Sequence, residues 1–545
     1  MVVVQATKLS LPNPSLSSPQ ITSFLFEPHS LSLALMHSDS SFSLYPSFSP
    51  FFLSSLPSPQ LVVPSPSSSA AFVALRNSDS NSDSKVLFVV SGPHQGGSRI
   101  LLRFYVLETC NLFRRVRVVC TQKDLRSDDK LGVLVNLRHG LSVRLAGSVN
   151  FFAIYSISSS KIWVFAVKMV AGGDGRDDVM DLKLMRCAVI DCCKPIWSIS
   201  ISFGYLLLGE DNGVRVLNLR PFVRGRGRKV RNLYAKREVH KSFLPHGEVY
   251  GTSGGTDLNG GSLFVGNNGL NEHASRSDGA QSSAICNGSL DGKMDKHFDS
   301  VRSRSVKLRQ DSSEGGLYFV ALKGRGNEDL RSAKMMPLKA LSIQALSPRK
   351  ILILDSVGDL HLLHLASSAN GSDFSYNIRP LPHLMKVQTL TSVPDTSIRN
   401  QTVWLSDKQH SVHMMMIPDV DSDVTENRGN ESEEVLMKKI SDMQVIFAGE
   451  KIQDITSLSA NAVLILGQGA KREARGHGKL CAHPSYFIYV FRVNCFLGAI
   501  FKGHFSFKAV LDDLVQSGGF LASCCAQSSH MSMSMVNKIQ EDRSE

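Results

Sequence analysis

One repeated unit constrains the fold more than any other sequence feature: three short apolar runs separated by turn residues. Its clearest copy is LSIQALSPRKILILDSVGDLHLLHLA, at 341–366, where a tight turn around Gly358 joins the last two runs. Apolar runs of four to six residues broken by Gly, Asp and Pro are typical of antiparallel hairpins rather than helices. The pattern recurs at 199–219, with Asp211-Asn212-Gly213 as its turn. We therefore expect an all-β chain.

Seven such hairpins can be placed along the chain. They lie at 30–48, 86–107, 151–167, 199–219, 341–366, 402–417 and 462–491. Successive hairpins begin roughly 45–65 residues apart, except between the fourth and fifth, where an insertion separates them. Single strands between the hairpins, such as Val116–Cys120, would supply one more strand for a unit. This pattern predicts a seven-bladed β-propeller with four-stranded blades, with six or eight blades as alternatives. The N-terminal strand is a candidate for completing the last blade.

The hairpins also carry a family resemblance. GEDNGVRVLNLRP at 209–221 and LDSVGDLHLLHLA at 354–366 occupy the place of the Asp-Gly-x-(Val/Leu)-x-(Val/Leu) hairpin of a WD repeat. KIWVFAV and TVWLSDKQHSVHMMM are weaker versions. Most of 21–492 therefore resembles the WD-repeat-like (WD40/YVTN-type) β-propeller superfamily in a divergent form. The closing Trp-Asp and the regular Gly-His are absent, so the Asp–His hydrogen-bond network of that family is expected to be missing.

The chain divides by composition into five regions. They are a flexible N-terminus that is a candidate transit peptide (1–20), blades one to four (21–220), a disordered basic insert (221–312), blades five to seven (313–494) and an irregular tail (495–545). The insert is rich in Gly, Ser and Asn and holds few apolar clusters, so it cannot bury enough surface to offset its ordering entropy. The connection 468–485, between the strands of the last hairpin, is expected to be a basic loop.

The insert carries the densest positive cluster. Its members are Arg224, Arg226, Arg228, Lys229, Arg231, Lys236 and Arg237. Such a cluster is a candidate nuclear localisation signal or nucleic-acid contact, and a solvated linker is the alternative. Ser303 and Ser305 lie between arginines and are candidate phosphosites, since a phosphate would reduce the local positive charge.

Several motifs resemble chemical sites but are not expected to act as such. The Gly251–Gly255 segment matches G-x-S-x-G but lacks the strand and helix that a nucleophile elbow needs. The segment 467–479 lacks the spacing of a phosphate-binding loop. His477, Cys481 and His483 have ligand-like types at H-x3-C-x-H spacing, but a structural zinc site needs four ligands and Cys495 is the one other local candidate, so zinc is not favoured. No catalytic residue, metal or cofactor is therefore predicted.

Other polar and aromatic residues are expected to have structural roles. Trp163, Trp197 and Trp404 fall in or beside strand runs and are predicted to pack in cores. Turn formation is expected for the acids Glu210, Asp211, Asp355 and Asp359, because Asp bonds its own backbone in tight turns. Outward-facing positions on two hairpins are expected for His361, His364, His410 and His413.

Charge and composition limit the function. The formal net charge is +12, which permits contact with nucleic acid or acidic surfaces. The ten cysteines form no disulfide framework, no secretory signal opens the sequence, and no apolar run is long enough for a membrane span. We expect a non-catalytic protein–protein interaction scaffold of the nucleus or cytoplasm, with the chloroplast as an alternative. A nucleic-acid-associated propeller is the second hypothesis, and an enzyme with a site in the central funnel the third.

Overall fold

The protein is a ring of seven β-sheets. The computed structural model describes 2–11, 19–49, 53–76, 84–171, 180–220, 304–307, 317–322, 337–367, 374–381, 385–393, 400–418, 444–475 and 479–495. Strand β1 (Val2–Leu9) comes first in the chain and belongs to the last sheet. No helix among these residues is long and apolar enough to cross a membrane.

The first three blades follow the chain, with one exchange. Blade 1 contains β2 (Ile21–Glu27), β3 (Ser32–His37), β4 (Phe42–Tyr45) and β5 (Leu61–Val63). Blade 2 contains β6 (Ser69–Leu75), β7 (Lys85–His94), β8 (Arg99–Leu107) and β9 (Phe113–Arg115); β10 (Val118–Cys120) joins blade 3, and β11 (Leu125–Asp128) and β12 (Gly132–Val135) complete blade 2. Blade 3 contains β13 (Val143–Gly147), β14 (Phe151–Ser156), β15 (Lys161–Ala171) and β16 (Met180–Asp191).

The remaining blades repeat the four-stranded order. Blade 4 contains β17 (Ser198–Ser202), β18 (Tyr205–Glu210) and β19 (Gly213–Asn218); β20 (Arg304–Lys307) pairs with blade 3, and β21 (Leu317–Ala321) completes blade 4. Blade 5 contains β22 (Ala340–Ala345), β23 (Lys350–Asp355), β24 (Leu360–Ser367) and β25 (Phe374–Leu381). Blade 6 contains β26 (Thr389–Ser392), β27 (Asn400–Ser406), β28 (Ser411–Pro418) and β29 (Gln444–Phe447). Blade 7 contains β30 (Lys451–Ser459), β31 (Ala462–Arg475), β32 (Lys479–Cys495) and β1.

Seven apolar clusters hold the ring together, and each one joins two adjacent blades. Phe42 of blade 1 meets Phe88 of blade 2 with ring centroids 5.8 Å apart, and Phe104 meets Phe152 of blade 3 at 6.1 Å. Because both faces of a blade are covered, interior strands read as continuous apolar runs: all six residues of β23 are buried. This explains why the hairpins were visible in the sequence, and the seven-bladed count is confirmed.

Strand β1 closes the ring by pairing antiparallel with β32 over eight positions, from Val2 opposite Cys495 to Leu9 opposite Ile488. Leu9 is buried in the cluster between blades 7 and 1, while Val4 and Ala6 pack on the cluster between blades 6 and 7. The expectation that the N-terminal strand completes the last blade is therefore confirmed, whereas the expectation of a flexible segment over 1–20 is wrong for Val2–Leu9. A short β-branched run with polar alternation was underestimated because its partner lies at the far end of the sequence.

The predicted basic loop at 468–485 is also wrong. Strands β31 and β32 stay paired from Gln468 opposite Tyr486 to Arg475 opposite Lys479, so the connection is a long hairpin. Backbone pairing does not require apolar side chains where a hairpin extends beyond its blade, and charge alone suggested a loop. Within the predicted insert, 304–307 forms β20; the rest of 221–312 lies outside the described residues, as does the tail after Cys495.

One carboxylate links blades 7 and 1 at the ring closure. The Oδ2 atom of Asp454, on the inner strand β30, accepts a hydrogen bond from the backbone N–H of Phe24 in β2 at 3.1 Å. Burial raises the pKa of Asp454 to about 6, although the N–H groups of Phe24 and Ile455 oppose this shift. The charged form is therefore costly in the folded ring.

We expect Asp454→Asn to stabilise the protein at pH 7.5 by up to ~2 kcal/mol, because it removes the charge and keeps an oxygen for the N–H of Phe24, while the loss of the acceptor for the N–H of Ile455 offsets part of the gain. A folded pKa above the unfolded one favours the folded state at low pH, and this contribution is lost as the pH rises through about 6. Thermal unfolding of both proteins at pH 5 and pH 7.5 measures the gap between them. A gap that does not widen with pH would contradict this account.

Candidate interaction surface

Turns and loops alternate around one face of the propeller. In each of blades 1 to 6, the turn between the second and third strands opens on the same side as the loop that leads to the next blade, because neighbouring strands are antiparallel. We call this side the upper face. The inner strands β2, β6, β13, β17, β22, β26 and β30 surround the central channel.

A hydrogen bond ties each of these six turns to the loop that follows its blade. The six contacts are Ser67 N to Ser40 O (2.9 Å), His139 N to Gly97 O (3.0 Å), Cys192 N to Ser160 O (2.8 Å), Leu338 N to Asn212 Oδ1 (3.1 Å), Val387 N to Gly358 O (3.2 Å) and Ala448 N to His410 O (2.8 Å). Each blade therefore fixes the start of its neighbour. The upper face is a connected set of turns rather than separate loops.

The turn of blade 5 is organised by a buried acid. Asp355 Oδ1 accepts hydrogen bonds from the backbone N–H groups of Val357 and Asp359, each at 2.9 Å, and its Oδ2 lies 2.9 Å from His361 Nε2. Burial alone would raise the pKa of Asp355, but the bonds from His361 and the two N–H groups lower it below its ordinary value. Gly358 has a φ of +92° within this turn. The turn-forming role of Asp355 is confirmed.

One expectation about histidines is wrong at this blade. His361 is buried against Asp355 rather than facing outward, so an Asp–His pair is present despite the missing WD-repeat dipeptides. His364 lies 3.2 Å from an Nη2 of Arg379 on the neighbouring strand. An acid closing the second strand and a histidine six residues later was the available signal. Residue alternation along a strand assigns each side chain to one face or the other, but it does not show that a side chain near a turn is buried against the acid of that turn.

Blade 4 uses a buried ion pair at the corresponding place. Arg215 Nε lies 2.6 Å from Glu210 Oε1, and Nη2 lies 3.1 Å from Oε2, with both side chains buried. The Arg215 guanidinium also lies 5.2 Å from the ring centroid of Phe319 on β21. Glu210 is therefore more than the turn former expected. A bidentate pair of this kind is costly to break because one partner would be left as a buried charge.

Blade 6 has a related series of side-chain hydrogen bonds at its turn. Ser411 Oγ donates to Asp407 Oδ2 at 3.1 Å, and His413 Nε2 lies 3.2 Å from Ser411 Oγ. Burial lowers the pKa of His413, with Asp407 opposing the shift, so the neutral imidazole is favoured. His413 is half-buried, which corrects the expectation of an outward position, whereas His410 is exposed as expected.

In blade 2 a buried arginine fixes the loop that leads into the blade, a role that sequence analysis did not predict. Arg103 is buried and donates through Nη1 to Pro64 O at 2.9 Å and through Nη2 to Pro66 O and Ser67 Oγ at 3.2 and 2.6 Å. It thereby holds the loop between blades 1 and 2. The only signal was a charge inside the apolar run ILLRFYVL, which marks an inward-facing cation.

Apolar side chains are exposed on the upper face of blades 3 to 5. Leu141 is 93% exposed, Val357 51%, Leu341 44% and Ile157 36%. Leu341 occupies the register shift between Ala340 and Ser342 at the start of β22. We call these four residues, together with Trp197 between them, the upper arc.

Trp197 is the aromatic member of the upper arc. Its Nε1–H donates to Asp211 Oδ1 at 2.7 Å, and Lys339 Nζ lies 4.0 Å from the centroid of its ring. The side chain is half-buried, whereas Trp163 and Trp404 are buried in inter-blade cores as expected. Arg144 Nη1 also donates to the carbonyl oxygen of Trp197. The ring is thus held in one position at the junction of blades 3, 4 and 5.

The predicted site residues in the insert are not placed. The seven arginines and lysines between Arg224 and Arg237, Ser303 and the Gly251–Gly255 segment all lie outside the described residues. Ser305 lies in β20, opposite Val189 of β16, so a kinase would need β20 to leave the sheet before binding it as an extended substrate. His477 is also outside, while Cys481 and His483 lie on β32. Among the described residues, no three His, Cys, Asp or Glu side chains are grouped as metal ligands.

We expect Asp355→Ala to destabilise the protein by about 2–4 kcal/mol, because three donors lose a shared buried acceptor. Asp359→Ala is the matched control: it removes an ion pair with the exposed Lys386 at 3.0 Å, which contributes less than about 1 kcal/mol. Chemical unfolding of the three proteins measures both effects. Equal losses for the two variants would show that Asp355 does not organise the turn.

No protein-family model and no curated protein matches the chain. Among solved structures, the β-propeller domain of Cps50 (Swd1) from Myceliophteria thermophila is 7% identical, with 89% of this chain and 98% of that chain covered and a TM-score of 0.37. Sqt1 from Saccharomyces cerevisiae is 7% identical, with 87% of each chain covered and a TM-score of 0.35. The C-terminal WD40 domain of Sif2 is 9% identical, with 88% and 84% covered and a TM-score of 0.33. The seven-bladed β-propeller architecture itself is seen directly in the seven sheets and their closure.

Proposed function

We propose that the protein is a non-catalytic scaffold that binds a protein partner across the upper arc. The observation that carries this proposal is Leu141, an apolar side chain that is almost fully exposed on a fixed turn. Contiguous apolar surface with a polar rim is typical of protein-binding sites. Leu141 also lies beside Ile157, since Ile157 N donates to the carbonyl oxygen of the adjacent Ser142 at 3.3 Å.

The position of Leu141 is fixed before any partner binds. Its backbone N–H donates to Ser158 Oγ at 3.0 Å. The preceding Gly140 has a φ of +58°, and a Cβ there would collide with the Ser158 side chain. A preorganised apolar residue loses little conformational entropy on binding, so more of its burial contributes to affinity.

The polar groups of the upper face support a scaffold rather than a reaction. Glu210 with Arg215 and Asp355 with His361 are buried pairs that stabilise turns, and their hydrogen-bonding capacity is directed at each other and at the backbone. A general acid or base must instead reach a substrate. The exposed side chains of the upper arc instead offer apolar surface that a protein partner can bury, and such burial is a main source of affinity at protein–protein interfaces.

The nucleic-acid hypothesis and the nuclear or cytoplasmic location remain proposals that depend on the basic cluster between Arg224 and Arg237. That cluster would supply affinity through phosphate contacts, which fall steeply with salt. A protein partner held by the upper arc is less sensitive to salt, because apolar burial provides most of the binding free energy.

We expect Leu141→Asp combined with Val357→Asp to reduce partner recovery at least about tenfold, because two charges would be buried against the partner. Affinity purification of the tagged protein from its own cells, with and without nuclease, measures this recovery by quantitative mass spectrometry. The matched control is Val62→Asp with Phe447→Asp: these side chains are 53% and 59% exposed but lie on the outer strands β5 and β29.

Two results would overturn the proposal. In the first, the control pair reduces recovery as much as the arc pair, which would place the contact on the rim. In the second, all partners are lost after nuclease treatment, which would favour nucleic acid as the ligand. Thermal unfolding of each variant distinguishes loss of binding from loss of fold.

A further inference from the structure

The outer edge of β16 in blade 3 is covered by two segments that are not its neighbours in the chain. Its first half pairs parallel with β10, from Val118 opposite Leu182 to Cys120 opposite Leu184. Its second half pairs parallel with β20, from Arg304 opposite Ala188 to Lys307 opposite Asp191. The other edge of β16 is paired with β15 along its whole length. Blade 3 therefore has a fifth strand assembled from two separate pieces.

A glutamine side chain separates these two pieces. Gln122 Nε2 donates to the carbonyl oxygen of Arg186 at 3.0 Å, and the N–H of Arg186 donates to Gln122 Oε1 at 2.7 Å. The carboxamide thus imitates one peptide group of a strand. Because Gln122 follows β10 by two residues, the segment 118–122 hydrogen-bonds to the outer edge of β16 only as far as Arg186. Beyond it, the edge at 188–191 is paired with 304–307 alone among the described residues.

The edge at 188–191 is a firm template for pairing. Ala188 and Ile190 are fully buried in the cluster between blades 3 and 4, and Val189 packs against the cluster between blades 2 and 3. An apolar strand with an open edge attracts further strands, and native proteins cover such edges. Main-chain hydrogen bonds provide most of the affinity in strand addition, so the site accepts extended peptides of varied sequence.

We propose that the outer edge of β16 at 188–191 is a strand-addition site for an extended peptide, and that 304–307 of the same chain occupies it in cis. Residues of the predicted insert precede and follow 304–307, so the pairing of 304–307 with β16 attaches the insert to the rim of blade 3 at this point. A competing extended peptide must displace it. The site lies on the rim and does not depend on the upper arc, so each proposal can fail without the other.

The first test removes the cis strand in the full-length protein. Ser305→Pro with Val306→Pro eliminates a donor whichever of these alternating residues faces β16, because proline has no N–H. Ser283→Pro with Ala284→Pro is the matched control in the same predicted insert. Hydrogen exchange measured by mass spectrometry should show a peptide spanning 188–191 exchanging about tenfold faster or more in the first variant only, with β15 unchanged. Unchanged protection at 188–191 would overturn the proposal.

The second test supplies the strand in trans. A synthetic peptide of residues 301–310 should bind the Ser305→Pro/Val306→Pro protein and restore protection at 188–191. It should bind the wild-type protein at least about tenfold more weakly, because the tethered strand competes at an effective concentration on the order of millimolar. The same peptide carrying both prolines is the control. Equal binding to both proteins, or binding to neither, would contradict the proposal.

Discussion

The structure depends on one pairing: β1 with β32, residues from the two ends of the described chain. Each blade is apolar on both faces and needs a neighbour on each side, and seven blades satisfy this only as a closed ring. The eight paired positions of β1 and β32 complete the seventh blade. Leu9 then buries itself against blade 1, so the same strand that ends the sheet also seals the ring. Without β1, the outer edge of β32 would be unpaired and the cluster between blades 7 and 1 would lose the cover of Leu9.

On the upper face, hydrogen bonds between neighbouring blades add to the apolar packing. Every turn from blade 1 to blade 6 is hydrogen-bonded to the loop that starts the next blade, and Asp355, Glu210 and Arg103 fix individual turns or loops from within. These buried groups are expensive to desolvate and are stable only because they are paired. Asp355 fixes the turn that carries Val357, while hydrogen bonds from Gly140 to Gly97 and from Leu141 to Ser158 fix Leu141, so polar contacts of the turns position the proposed binding surface.

Sequence analysis recovered the interior hairpins because strands buried on both faces are nearly continuous apolar runs, as β23 shows. It failed for the outer strand β1, which was taken as flexible, and for the extension of β31 and β32 beyond the blade, which was taken as a loop because its side chains are polar and charged. The Asp355–His361 pair was missed because residue alternation predicts which face of the strand a side chain lies on, but not whether a side chain near a turn is buried. β20 could not be foreseen, since its partner is set by distant packing rather than by its own four residues. Of the candidate site, the turn acids were predictable, and the upper arc was not, because exposure on a turn has no sequence signature.

The most direct measurement of the central claim is residue-resolved hydrogen exchange over Val2–Leu9 in the full-length protein. Alternate amides of this segment point at β32 and donate to it, so the account predicts that they exchange as slowly as the amides of β31 in the same blade. The amides between them, which face away from β32, should exchange faster. Exchange at the rate of an unstructured peptide across all of Val2–Leu9 would contradict the closure of the ring by β1.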